Sequence, residues 1–243
     1  MSTNKMRKNQ LVCVFDFDGV LIDSYSCLPL LYKSVAYYIG FKGNNVNKFI
    51  KRALEYEDEQ DAEENYNRKS WWPLLFKEFE IYRNIDLHEL LKNFEEERIK
   101  KSKILKNTVN TLKWLKEKGA KLIILASSDG TPNLKKRRIK ESGLMEFFDE
   151  VFIVNEDIKN RKEGLKSILK RYKVSENQVI FIDDKPGPIN EIQANFKDVM
   201  TIKMEFRGPL RLAWEKEKCM PTYKIKTINE LRKILSTLER KNF

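Results

Sequence analysis

The chain is poor in the residues from which most hydrolytic and redox sites are built. It has a single histidine, His88, set in the polar helical pattern of residues 86–97, where an imidazole decorates a surface. One such histidine leaves no Ser-His or Cys-His nucleophile and no zinc hydrolase to consider. Its three cysteines, Cys13, Cys27 and Cys219, are odd in number, far apart and without a C-x-x-C pair, so they read as reduced thiols. There is no G-x-G-x-x-G and no Walker glycine loop, which removes dinucleotide and P-loop sites. Long apolar runs are missing too. Behind a polar, basic start the first run, residues 11–15, is far shorter than a signal core or a membrane span. A soluble, intracellular, cytoplasmic protein with no membrane partner is expected. No internal repeat or low-complexity tract occurs.

What is present is globular. Hydrophobic residues make up 41% of the 243 positions and aromatics 11%, enough for a large core in one domain with an insertion, or in two modest ones. The net charge of +11 is unevenly spread: residues 24–105 hold 14 basic and 14 acidic side chains, residues 106–243 hold 30 and 19. A phosphorylated or polyanionic partner fits that field, and so does a set of well-solvated helices in a lysine-rich chain.

The most informative stretch is Val12 to Ser24, VCVFDFDGVLIDS. Its apolar beginning reads as a buried strand that ends abruptly in Asp16-Phe17-Asp18-Gly19. Carboxylates at i and i+2 leave the same face of an extended chain and aim at one spot beyond its end. Held that close they repel, unless one is protonated or a cation lies between them. Mg²⁺, which takes oxygen ligands and keeps positions for water and phosphate, is the expected cation. Taken alone, the motif is equally a strand ending in a solvated acidic turn.

Downstream, helical patterns run from Leu28 to Ile39, through Val46, Phe49, Ile50, Ala53 and Leu54, from Ser70 through Tyr82 with Pro73 as an early helical residue, and from Asp86 to Lys101. Seven acids in residues 55–64 predict an exposed helix end or loop. Trp71 and Trp72 suit core packing, with pocket lining as the alternative. From Thr108 the pattern becomes β-α alternation. Strands are predicted at Leu122–Ala126, Glu150–Val154, Val179–Ile182, Val199–Lys203 and Tyr223–Ile225. Helices are predicted at Thr108–Lys118, Leu134–Ser142, Gly164–Tyr172 and Ile228–Leu238. Strands without polar alternation, separated by helices, predict an α/β fold with a parallel sheet covered on both faces. The predicted helical insertion is residues 25–103, leaving 1–24 and 104–243 for the core.

Three apolar strands end in pointed chemistry: Asp16 and Asp18, then Ser127 and Ser128, then Asp183 and Asp184. Ligands of open parallel sheets bind beyond the carboxyl ends of the strands, so three such endings in succession are better explained by a site than by turns.

At these residues the chain resembles the haloacid dehalogenase-like superfamily, on its phosphatase branch (phosphoglycolate phosphatase and β-phosphoglucomutase-like members). FDFDGVLIDS matches the first motif, LIILASSDG the second and VIFIDDK the fourth. Lys162 fits the single basic residue of the third, with Lys159 and Arg161 as rivals. The resemblance implies a Rossmann-like core with an inserted helical cap. It also implies a Mg²⁺-dependent phosphomonoesterase acting on a small phosphorylated substrate. Asp16 is then the nucleophile that becomes an aspartyl-phosphate, and Asp18 the general acid and base. The metal is held by Asp16, Asp18 (through its carbonyl), Asp183 and Asp184. Ser127, Ser128 and Lys162 bind the phosphoryl group. The family's further acidic or Asn residue after the acidic pair is displaced here to Asn190 or Glu191. Alternatives are a phosphosugar mutase, a nucleic-acid end phosphatase using the basic half with its Lys135-Lys136-Arg137-Arg138 run, and a non-enzymatic phospho-ligand-binding protein.

Overall fold

A computed structural model describes residues 10–82, 84–205 and 217–241; the basic start of the chain lies outside them. At its centre is a six-stranded parallel sheet. Its strands are β1 (Val12–Phe15), β4 (Lys121–Ser127), β5 (Glu150–Val154), β6 (Val179–Asp183), β7 (Met200–Met204) and β8 (Tyr223–Ile225), in the order β5-β4-β1-β6-β7-β8. The continuous apolar runs follow from burial on both faces. Along β1, Cys13 and Phe15 enter one core with Leu122, Ile124, Ile180 and Ile182, whereas Val12 and Val14 enter another with Ile123, Leu125, Val179 and Phe181. Helices α5 (Thr108–Glu117) and α9 (Glu230–Lys241) cover the first face; α7 (Arg161–Tyr172) and α8 (Pro186–Asn195) cover the second. Helix α6 (Leu134–Glu141) adds Ile139 to the first core.

The chain builds outward from β1 on one side, then crosses back to build the other. The winding order of the chain therefore reverses between the parallel neighbours β1 and β6, and ligands of doubly wound sheets lie at such a crevice. Phe15 pairs with Ile182, and the Asp16 N–H donates to the Ile182 carbonyl at 2.8 Å. Asp16 and Asp183 consequently leave adjacent strands side by side.

The insertion is four helices, α1 (Leu28–Tyr38), α2 (Asn44–Ala62), α3 (Arg68–Glu78) and α4 (Leu87–Lys101), packed round a cluster of their own that holds Tyr32, Phe49, Trp71, Trp72 and Phe94. Both tryptophans belong to that core, in an edge-on pair with ring centroids 6.4 Å apart. Pro73 lies farther inside its helix than the sequence suggests, because α3 begins at Arg68 with the Asn67 side chain accepting from the Lys69 N–H. The acidic run is the end of α2, as expected, with Glu59, Glu63 and Glu64 exposed, but Glu57, Asp58 and Asp61 line the cavity. A two-residue antiparallel ribbon, β2 (Ile22–Asp23) with β3 (Lys103–Ile104), joins the two ends of the insertion to the sheet. Two residues are too few to show periodicity, so nothing in the sequence announces it.

Among the described residues, no helix is long and apolar enough to cross a membrane. The three cysteines are free, and His88 is exposed on α4.

Candidate active site

The carboxyl ends of β1, β4 and β6 open into a cavity of about 50 Å³ between the sheet and the inserted helices. Asp16 lines this cavity and meets Asp183 and Asp184 at the strand ends. All three are buried, with one carboxylate oxygen from each within 4.8 Å of the others. Burial, with Asp184 adjacent, pushes the Asp16 carboxyl up to about 7; burial and then Asp16 raise Asp183 well above the carboxylate range. Asp183 Oδ2 is buried without a hydrogen-bond partner, its nearest cation being Arg161 Nε at 3.9 Å. Three buried carboxylates in contact are stable when a cation neutralises them. The all-oxygen donor set suits a hard divalent ion such as Mg²⁺.

Gly19 makes this packing feasible. Its φ is +75°, and a Cβ there would lie 2.0 Å from Asp184 Oδ2, so the turn after Asp18 accepts no side chain.

The Asp18 carboxylate is turned away from the other three. It accepts hydrogen bonds from Ser24 Oγ, Lys135 Nζ and both terminal nitrogens of Arg138. Its side chain therefore does not join the acidic cluster, which corrects any metal role beyond its backbone carbonyl. Burial alone would raise its pKa, but Arg138, Lys135 and Arg98 hold it well below the usual carboxylate range. Asp129 shares the same cations, at 2.9 Å from Arg138 and 3.0 Å from Lys135.

At the end of β4, Ser127 Oγ accepts from Arg161 Nη2 at 2.7 Å. Ser128 lines the cavity and donates to Glu156 at 2.8 Å. The third-motif assignment needs correction. Arg161, the first residue of α7, is the basic side chain that enters the cavity, whereas Lys162 is absent from its lining and offers only its backbone N–H, to Glu191 at 2.9 Å. Adjacent residues on a helix diverge by about 100°, so only one of the pair can face the site. Nor does either fourth-motif candidate reach the acidic cluster. Glu191 is engaged by that N–H, and Asn190 donates to Glu217 at 2.9 Å.

The basic run on α6 is not a surface patch. Lys135 and Arg138, 5% and 2% exposed, point into the site; Arg137 pairs with Glu96 of the inserted helices and Lys136 with Asp157. Their i, i+3 spacing, which puts two side chains on one helix face, was the available signal. Asp129 sits in the SSDG stretch, where ordinary turn chemistry accounts for it, and Arg98 carries no sequence signal. Contacts between the core and the inserted helices include Lys185 to Asp61 at 2.6 Å, Thr131 to Glu95 at 2.6 Å and Arg161 to Glu64 at 3.3 Å.

Residues 11–187 match the family model of the haloacid dehalogenase-like hydrolases. No curated protein matches the sequence. Solved structures with the same fold include a HAD phosphatase from Thermococcus onnurineus, with TM-score 0.60 and 22% identity over 93% of this chain and 98% of the other. YfnB of Bacillus subtilis, assigned as a HAD-hydrolase and solved bound to magnesium, superposes with TM-score 0.71 and 18% identity over 94% of this chain and 100% of its own. A HAD-superfamily hydrolase of subfamily IA from Geobacter sulfurreducens gives TM-score 0.65 and 15% identity over 97% and 100%.

Proposed function

Since this chain belongs to the haloacid dehalogenase-like hydrolase family, we propose that it is a Mg²⁺-dependent phosphatase that hydrolyses a small phosphomonoester through an aspartyl-phosphate. The observation that carries the reading is the buried trio Asp16, Asp183 and Asp184 at the point where the winding order reverses. The magnesium-bound relative and the phosphatase relative support it.

Asp16, Asp183 and Asp184, with the Asp18 carbonyl, are the residues that would hold Mg²⁺. When bound, the ion supplies positive charge to the Asp16 carboxylate and to the phosphoryl group it attacks. Arg161 and Ser127 line the same cavity. The guanidinium is fixed on Ser127 and stands over Asp183, placed to hold non-bridging oxygens as charge develops on them. An Asp16 oxygen forms the bond to phosphorus while the ester P–O bond breaks, and the leaving oxygen takes a proton. Water then forms a new O–P bond, the Asp16–phosphorus link breaks and the carboxylate returns. Asp18 is ionised on Lys135 and Arg138, and to take the proton of that water it has to give up bonds to those cations, which otherwise weaken it as a base. Its acid half requires it to leave those bonds and gain a proton.

Residues 25–103 act as a cap hinged on the β2–β3 ribbon. Gly130 lies so close beneath it that an added Cβ would sit 2.3 Å from the Tyr66 carbonyl. A small cavity under such a cap suits a metabolite, and the consumption of the α6 basic residues inside the protein weakens the nucleic-acid alternative.

The test is phosphate release from a panel of phosphorylated metabolites with Mg²⁺ and after chelation, repeated with Asp16→Asn. Release that needs the metal and falls by several powers of ten in the variant supports the reading. Turnover by Asp16→Asn within tenfold of wild type, or persisting after chelation, overturns it.

A further inference from the structure

Four guanidinium groups lie in or beside the cavity, and the terminal nitrogens of three of them are hydrogen-bonded. Arg68 grips Glu57, with Nε to Oε2 at 3.1 Å; Arg138 bonds Asp129 at 2.9 and 3.0 Å and Asp18 at 3.0 Å; Arg161 donates to Ser127 at 2.7 Å. Arg98, in the last turn of α4, differs. Its side chain is 7% exposed and lines the cavity, yet its nearest carboxylate oxygens are at 3.6 Å on Asp129 and 4.0 Å on Asp18, beyond hydrogen-bonding range. Its Nε is buried without a hydrogen-bond partner. The Nε atoms of Arg138 and Arg161 share that last property, but their terminal nitrogens are bonded. A buried guanidinium is stable when its donors are satisfied, so the donors of Arg98 point to a group that arrives with the substrate.

The surroundings select that group. Asp18 and Asp129 stand on one side of Arg98, at 4.0 and 3.6 Å, whereas Glu57 and Asp61, which line the same cavity, are paired with Arg68 and Lys185. A group seated between Arg98 and these two carboxylates has to accept from the first and donate to the second. A hydroxyl does both at once, and a carboxylate has no proton to donate. Asp18, the neighbour of Arg98, is also the group assigned to proton transfer at the ester. We propose that Arg98 is the specificity-determining residue of the cap, and that it reads a neutral hydroxyl carried close to the ester oxygen, as in phosphorylated polyols. This rests on the phosphatase reading above and goes beyond it by naming the organic part of the substrate.

Three phosphoesters on the same two-carbon frame separate the possibilities: 2-hydroxyethyl phosphate, ethyl phosphate and carboxymethyl phosphate. In the wild type, kcat/KM for the hydroxyethyl ester should exceed that for the ethyl ester by about tenfold or more, since a site built to bond a hydroxyl rejects the analogue without it. The carboxymethyl ester should be the poorer of the two polar substrates. In Arg98→Met the hydroxyethyl-to-ethyl ratio should collapse towards one, and in Arg98→Lys part of it should survive. Any general disturbance of Asp18 or Asp129 affects all three esters and cancels in the ratio. Thermal melting of both variants checks folding, and Arg98→Lys carries the test should Arg98→Met fail to fold. A ratio unchanged within twofold in both folded variants, or in Arg98→Lys alone where Arg98→Met does not fold, overturns the inference while leaving the phosphatase reading intact. A wild type that prefers the carboxymethyl ester does the same. Failure of the wild type to hydrolyse any of the three while it releases phosphate from another metabolite overturns this inference alone; no release from any phosphoester tested with Mg²⁺ overturns both.

Discussion

Replacing Asp16 by asparagine should make the metal-free protein more stable, although it removes the proposed nucleophile. The Asp16 carboxyl is pushed from 3.8 up to about 7, first by burial and then by Asp184. The folded state therefore keeps a proton that the unfolded chain releases. The stability this group lends is fully present below about pH 4 and is lost as pH rises through 7. Above pH 7 the ionised form carries a cost of about 4 kcal/mol, from roughly three pKa units at about 1.4 kcal/mol each. Asparagine keeps the shape and removes the charge, so Asp16→Asn should recover about 2–4 kcal/mol at pH 8. For a chain of this size that corresponds to a rise in Tm of about 5–10 °C. The assay is thermal unfolding by circular dichroism in chelator at pH 6 and pH 8, then with Mg²⁺ added. The variant's advantage should be larger at pH 8. With Mg²⁺ the order should narrow or reverse, because saturating a site at a hundred times Kd stabilises the wild type by about 2.7 kcal/mol. An Asp16→Asn protein that melts below the wild type in chelator at both pH values would refute the reasoning.

Three further outcomes follow from the site and the cap. Arg161→Met should lower kcat/KM by roughly 10²- to 10³-fold, the scale of losing one oriented donor, whereas Lys162→Met should stay within about threefold; equal losses would return the third motif to Lys162. Gly130→Ala should reduce kcat/KM by about 10- to 100-fold, the scale of a small misplacement, and lower Tm as well, because alanine is strained at φ +81° and its Cβ falls 2.3 Å from the Tyr66 carbonyl; unchanged kinetics and melting would mean that the inserted helices do not need this contact. Trp72→Ala should cost about 3–5 kcal/mol in denaturant unfolding, as expected of a fully buried indole; a loss below about 1 kcal/mol would place the ring outside the cap core.

The periodicity of the chain by itself determined the parallel sheet, the four helices between Leu28 and Lys101 and the strand ends on which Asp16, Ser127 and Asp183 sit. Apolar runs and helical spacing are local properties, and a doubly wound sheet converts them into one edge. Which side chains face that edge was not local. Arg161 and Lys162 are chemically alike and adjacent, and only the docking of α7 on the sheet decided that Arg161 enters the cavity. Lys135 and Arg138 look like a solvated basic run until α6 is laid beside β1, where burial becomes tolerable because Asp18 and Asp129 pair with both. The acidic run of α2 reads as surface until the inserted helices pack over the sheet edge and Asp61 meets Lys185. Arg98 is 80 residues from Asp18 along the chain, and no spacing rule connects them. The two-residue ribbon, the outward turn of Glu191 and the approach of Gly19 to Asp184 likewise depend on contacts between distant segments, which exist only in the folded chain.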